Sequence, residues 1–140
     1  MDKFEFLIGN WNLEYRVPES KFSQKATGTG SGQIRRILND KYVAFDYVSD
    51  INGKKGEAHA VFAWDAKAEV YRFWWFENSG NFSMATCGFS NKDTLCLNWH
   101  DSLLHQTFRK IGDDKVLLRM DAPNAEGDCD LILEVLLTRV

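Results

Sequence analysis

From Trp11 onward the chain alternates apolar and polar residues with a period of two, in short runs broken by turn residues about every ten positions. That period constrains the fold more than any other feature. Side chains of an extended strand point alternately to opposite faces, so each run predicts a strand with one buried face. "WNLEYRV" puts Trp11, Leu13, Tyr15 and Val17 on one side. Further runs lie near 27–38, 41–51, 54–65, 69–78, 81–90, 93–100, 103–111, 115–121 and 129–140. Between them stand Asn39-Asp40, Asn52-Gly53, Ser79-Gly80, Asn91-Lys92, Asp101-Ser102 and Gly112-Asp113-Asp114. Asn52-Gly53 is the sharpest of these signals, because a two-residue type I′ turn needs positive φ twice. Short consecutive strands with tight turns predict an antiparallel meander, and closing it removes the exposed edges. The expected fold class is all-β: an antiparallel up-and-down barrel of about ten strands. One segment departs from the period. "DKFEFLIG" predicts a short helix capped by Asp2, with Phe4, Leu7 and Ile8 on one face and Gly9 ending it.

The 140 residues predict one domain, 1–140, without a linker or an internal repeat. Aromatic residues make up 14% of the chain, enough large rings to fill a core or line a cavity. A net charge of −3 without a Lys/Arg cluster argues against nucleic acid as a partner. No apolar run reaches membrane-spanning length, and the charged start "MDKFEF" does not read as a signal peptide. Three Cys without paired spacing predict a reducing, cytoplasmic setting. Neither CxxC nor HExxH occurs, so no structural zinc and no cofactor is expected. "GTGSG", Gly28 to Gly32, lacks the Lys and the strand-to-helix context of a phosphate loop and predicts a strongly bent strand.

Turn lengths then propagate a register. Pairing Ile51 with Lys54 sets Asp46 opposite His59; across Asn39-Asp40, Gln33 meets Asp46 and Arg35 meets Ala44. Across Ser79-Gly80, Trp75 meets Met84; across Asn91-Lys92, Met84 meets Trp99. If Asp65 and Glu69 bracket the turn between, Trp75 lies opposite His59. The expected interior row is then Gln33, Asp46, His59, Trp75, Met84, Trp99 and Leu104. A second row holds Arg35, Ala44, Val61, Phe73, Thr86, Leu97 and Gln106. One wall would be polar (Arg35, Gln33, Asp46 and His59, with Tyr42 and Tyr71 nearby), and the facing wall aromatic. The same register turns Phe45, Phe62, Trp64, Trp74 and Phe76 outward, an apolar patch whose simplest cover is a homodimer contact. It also makes Cys87 and Cys96 outward cross-strand neighbours, expected as free thiols, and leaves His100 and His105 on the outer face.

The leading expectation is a barrel binding a small apolar or amphipathic molecule that carries one polar or anionic group. Arg35 and Gln33 would anchor that group, since a guanidinium forks onto a carboxylate or phosphate. Asp46, His59, Tyr42 and Tyr71 would hydrogen-bond it. Phe73, Trp75, Met84 and Trp99 would pack on its body. The Asp46–His59 pair admits two readings. A carboxylate bonded to an imidazole fixes its tautomer and raises its basicity, which suits a general base; an isomerase or hydrolase would use His59 as base and Asp46 as orienter. A buried polar pair that only sets strand register has the same signature. A barrel filled by its own aromatics, acting through its outer surface, is a further alternative.

Leu7-x-Gly9-x-Trp11 at the first strand and Arg139 at the last resemble the signature of the calycins, the lipocalin and fatty-acid-binding-protein superfamily. In that superfamily a Trp at the barrel base is covered by an Arg of the final strand. Gly30-Ser31-Gly32, Arg36-x-Leu38, Asp46-Tyr47, Trp64-Asp65 and Tyr71 extend the likeness over nearly the whole chain. In that spacing it is similar to a bacterial calycin-like group known as domain-of-unknown-function family 1579. The resemblance implies a fold and no activity. Residues 18–26, "PESKFSQKA", are too few for the two-helix lid of fatty-acid-binding proteins. The related nitrobindin-type barrels imply haem as an alternative ligand, which would need an inward histidine; in the expected register that is His59, with Asp46 supporting its ring.

Overall fold

The structure, a computed structural model, describes residues 1–21 and 23–140. A 3-10 helix, Asp2–Leu7, precedes ten strands. They are β1 (Gly9–Val17), β2 (Ala26–Ile37), β3 (Tyr42–Ile51), β4 (Lys54–Asp65) and β5 (Val70–Glu77). The second half is β6 (Phe82–Asn91), β7 (Thr94–Trp99), β8 (His105–Gly112), β9 (Lys115–Pro123) and β10 (Cys129–Arg139). Each strand pairs antiparallel with its sequence neighbours, and β1 pairs with β10 to close the barrel. The all-β barrel expected from the two-residue period is the observed fold. Its strand ends fall within about two residues of those expected.

The N-terminal segment forms a 3-10 helix. Its i,i+3 repeat sets Phe4 and Leu7 one above the other, and both are fully buried. Asp2 lies in the first turn without capping it; Met1 is the N-cap, and no side chain bonds there. Phe4 packs on Phe62, Tyr71 and Phe89 at centroid distances of 4.9, 5.2 and 5.1 Å, so the helix plugs one end of the barrel. Trp11 and Arg139, cross-strand partners, lock the plug. The Trp11 indole N–H donates to Leu7 O at 2.9 Å, and the Arg139 guanidinium lies 4.3 Å over the indole ring. Arg139 also donates to the Ile8 carbonyl and, at 3.4 Å, to the Phe6 carbonyl. Gly9 is required beneath it: its φ is +146°, and a Cβ there would lie 2.3 Å from Arg139 Nη1.

The glycines of β2 face inward and let the neighbouring strand close in. A Cβ at Gly30 would sit 2.3 Å from Val48 O, and one at Gly32 would sit 2.8 Å from Phe45 Cε1. What "GTGSG" supplies is this close approach, and β2 keeps an unbroken register with β1 and β3 through it.

The register agrees with the sequence reading around Asn52-Gly53 and then departs from it. Asn52 and Gly53 have φ of 53° and 81°, and Gln33↔Asp46, Arg35↔Ala44 and Asp46↔His59 are paired as expected. The next turn is one residue longer than expected. Asp65 pairs with Val70, not Glu69, because its Oδ1 accepts from the Lys67 and Ala68 amides while Glu69 takes a positive φ of 54°. His59 therefore faces Phe76, and Trp75 faces Ala60. A slip of one residue exchanges the two faces of a strand. On β2, β3 and β4 the inward side chains are consequently Ile34; Val43, Phe45 and Tyr47; and Ala58, Ala60 and Phe62. Two further slips offset each other. Gly80, at φ 93°, closes a three-residue loop that pairs Trp75 with Ser83 rather than Met84; Ala85 then meets Trp99. Trp75 and Trp99 thus keep their expected inward direction, and Met84 and Thr86 turn out.

Phe45 and Phe62, expected on an outer patch, are core residues. Trp64 stands at the plug end against Tyr71, 4.7 Å between centroids, and only Trp74 and Phe76 of that set lie on the outer wall. The apolar face that suggested a homodimer contact is mostly the barrel's own interior. Cys87 likewise faces in, buried opposite Leu97, whereas Cys96 pairs with Gly88 on the other face. The two thiols are not cross-strand neighbours.

Candidate functional site

Opposite the plug the barrel is open. A cavity of about 560 Å³ runs inward from a rim that includes Glu77, Asn81, Asp101 and Ser102 to a floor of Phe73, Phe108, Leu118 and Leu137. Inward positions of β3, β5 and β7 supply its aromatic walls. Phe45 and Tyr47 stack at 4.6 Å; Trp99 meets Phe73 at 5.6 Å and Trp75 at 6.3 Å, edge to face. Edge-to-face pairs of this kind contribute about 0.5–1.5 kcal/mol beyond the area they bury.

Within those walls sit a few polar groups, each oriented by another side chain. The Trp75 indole N–H donates to the Tyr47 hydroxyl oxygen at 2.8 Å. The Trp99 indole N–H donates to Gln106 Oε1 at 3.2 Å. Gln106 is the buried polar side chain of the described core, 5% exposed. Burial drives the Tyr15 phenol well above its ordinary value, aided by Tyr47 and opposed by a hydrogen bond with Ser49. Burial also raises the Tyr47 phenol, against the hydrogen bond from Trp75. Both phenols therefore stay neutral across the physiological range. Among the described lining residues the ionisable carboxylates are Glu77 and Asp101, and no Lys, Arg or His is present. Asp101 accepts from the Ser83 hydroxyl at 2.8 Å.

A second depression, open and on the outer wall, crosses β1 to β5 and is lined by Asn10, Asn12, Ser31, Gln33, Asp46, Glu57, His59 and Phe76. Asp46 bridges two cations or donors there: its Oδ2 accepts from Arg35 at 3.3 Å, and its Oδ1 bonds His59 Nδ1. The side chains of Arg35, Asp46 and His59 are 44%, 40% and 48% exposed. Contacts this wet contribute about 0–1 kcal/mol, and they tie β2, β3 and β4 together across the outer wall.

The residues expected to share one site are thus divided. Phe73, Trp75 and Trp99 line the lumen; Tyr71 also faces in but packs on Phe4 at the plug end. Gln33, Arg35, Asp46 and His59 are on the outer wall, and Tyr42 and Met84 face the same way. The polar wall anticipated inside is therefore outside, for the register reason given above. This removes Arg35 as an anchor within the lumen and removes the Asp46–His59 pair from anything bound there. It also removes the inward histidine that haem ligation required. His100 bonds Thr86 on the outer wall at 2.6 Å, and His105 bonds Asn98 at 3.3 Å. Sequence reasoning passed over Tyr15, Tyr47, Ser49 and the pairing of Trp99 with Gln106. The available signal was Val43-Phe45-Tyr47, an alternation more apolar than Ala44-Asp46 on the opposite parity.

Residues 3–135 match the family described as Protein of unknown function (DUF1579). The chain belongs to the DUF1579 family. No curated protein matches the sequence. Among solved structures, this DUF1579 barrel is similar to Rv2717c from M. tuberculosis, with a TM-score of 0.68 at 11% identity, covering 100% of this chain and 98% of that one. It is also similar to the S-type phycobiliprotein lyase CPES from Guillardia theta: TM-score 0.59, 10% identity, 99% and 91% covered. A de novo designed fluorescence-activating β-barrel matches with a TM-score of 0.55 at 13% identity, covering 100% and 99%. At such identities the likeness is one of fold.

Proposed function

We propose that this DUF1579 protein is a small-molecule-binding barrel of calycin type, whose ligand enters the open end and lies between Tyr47, Trp75, Trp99 and Gln106. The observation that carries this reading is the unfilled half of the barrel. The plug end is packed solid by Phe4, Leu7, Trp11 and Phe62, all at most 1% exposed, while a cavity of about 560 Å³ persists at the other end. Cavities of this size with apolar walls and a few fixed polar groups are the usual form of ligand sites. The Trp11–Arg139 closure supports the calycin assignment. The same fold occurs in a phycobiliprotein lyase and in a fluorescence-activating design. Three free thiols, one of them buried, support a reducing cytoplasmic setting.

Titration with Nile red, a neutral apolar fluorophore, tests the lumen reading. Fluorescence enhancement with one-to-one stoichiometry is expected, and Leu133→Trp, which fills the cavity from β10, should abolish it while the barrel still unfolds cooperatively. Enhancement unchanged in the filled variant would place binding on the outer wall and refute the proposal.

A further inference from the structure

We infer that the lumen selects a neutral, flat, largely apolar molecule presenting a hydrogen-bond acceptor of carbonyl type, and that it discriminates against a carboxylate. The inference deepens the lumen-binding reading and rests on it. An indole N–H can only donate, so each Trp in the lumen decides the direction of the hydrogen bond it makes. Trp75 occupies the Tyr47 oxygen as acceptor, which leaves the Tyr47 hydroxyl hydrogen to donate elsewhere. Trp99 holds the oxygen end of the Gln106 amide, which turns the NH2 end away from the indole. Among the described residues Gln106 makes no other hydrogen bond, and it is 5% exposed. Its NH2 group is not among the fully buried, unpartnered polar atoms of the described residues, so it opens onto the cavity, where a bound acceptor can take its N–H groups. The lumen therefore offers donors that lack acceptors.

Its charge points the same way. The ionisable carboxylates of the described lining, Glu77 and Asp101, stand at the mouth, and no cationic side chain lines the walls. A carboxylate entering this site would lose water, pass two like charges and meet no counter-ion. A ketone, quinone or amide oxygen would take the Tyr47 and Gln106 hydrogens without that penalty. The edge-to-face rings of Phe73, Trp75 and Trp99 present faces and edges suited to a planar body.

Three matched fluorophores test this: a 6-dimethylamino-2-naphthyl ketone, the corresponding 2-naphthoate, and 2-dimethylaminonaphthalene without the acceptor. Each is titrated at pH 7 into the wild-type protein and into a variant that removes both donors together with the indoles they hold, Tyr47→Phe, Gln106→Leu, Trp75→Phe and Trp99→Phe, since the freed indole N–H groups would otherwise donate in their place. The ketone is expected to bind about tenfold or more tightly than either relative, the difference one neutral hydrogen bond makes. That variant should bind the ketone no more tightly than the acceptor-free naphthalene, and cooperative urea unfolding followed by its remaining tryptophans shows that the barrel is folded. Equal or tighter binding of the naphthoate would overturn the inference and leave the lumen reading standing. So would a ketone advantage that survives in the substituted variant. Failure of all three to bind would remove the lumen reading and this inference with it.

Discussion

Replacing Arg139 by Met should loosen the closure of the plugged end by a calculable amount. The guanidinium makes a cation–π contact with Trp11 at 4.3 Å, and its side chain is 30% exposed. A contact of that kind, partly desolvated, contributes about 1 kcal/mol. Two carbonyls, Ile8 O and Phe6 O, lose charged donors. Each such bond contributes about 1.5–3 kcal/mol when fully buried; at this exposure water replaces roughly half. The pair to Asp114 at 3.5 Å contributes nothing measurable, since that carboxylate is 72% exposed. Met keeps apolar cover on the indole, so the loss is mostly polar. The expected destabilisation is about 3 kcal/mol, a large share of the roughly 5–15 kcal/mol typical of a domain. Urea unfolding followed by tryptophan emission measures it, with an unchanged m-value showing that the same surface is exposed on unfolding. Lumen binding, at the far end, should survive. A change below about 0.5 kcal/mol would refute the claim that Arg139 holds the helix to the barrel.

Gly32→Ala places a Cβ 2.8 Å from Phe45 Cε1, and overpacking of this kind should destabilise by about 1–3 kcal/mol in chemical unfolding; a neutral result would mean that β2 is not pressed against β3. Tyr15 and Tyr47 are buried with raised pKa values, so the stability they contribute is complete below about pH 10 and is lost as pH rises through their folded values. Absorbance at 295 nm should show these two phenols ionising only with alkaline unfolding, and four tyrosines titrating together near pH 10 in the folded protein would contradict their burial. Burial lifts the Cys87 thiol to about 12, so Ellman's reagent at pH 8 should modify Cys96 and Cys129 promptly and Cys87 only in denaturant. His59→Ala should change stability by less than about 1 kcal/mol and leave Nile red affinity untouched; loss of lumen binding would restore the imidazole to the interior.

The barrel was legible in the sequence because its signals are local. Alternation of Trp11, Leu13 and Tyr15, the Asn52-Gly53 turn and the spacing of the other turns depend only on backbone sterics and on which residue types tolerate positive φ. The pairing of Asp46 with His59 is local in the same sense, since one two-residue turn sets it. Trp11 with Arg139 was within reach through the resemblance to the calycins, and the two residues are cross-strand partners where the barrel closes. Direction into or out of the lumen is a different kind of fact. It depends on counting every loop residue between strands, and the Asp65 side chain, by gathering the Lys67 and Ala68 amides, adds one. That single residue exchanges Asp46 and His59 for Phe45 and Ala60 on the inner face. Which half of the barrel stays open is more remote still. It follows from where Phe4 and Leu7 dock and from the bonds that Trp75 and Trp99 make to Tyr47 and Gln106, contacts between residues far apart in the chain that no periodicity encodes.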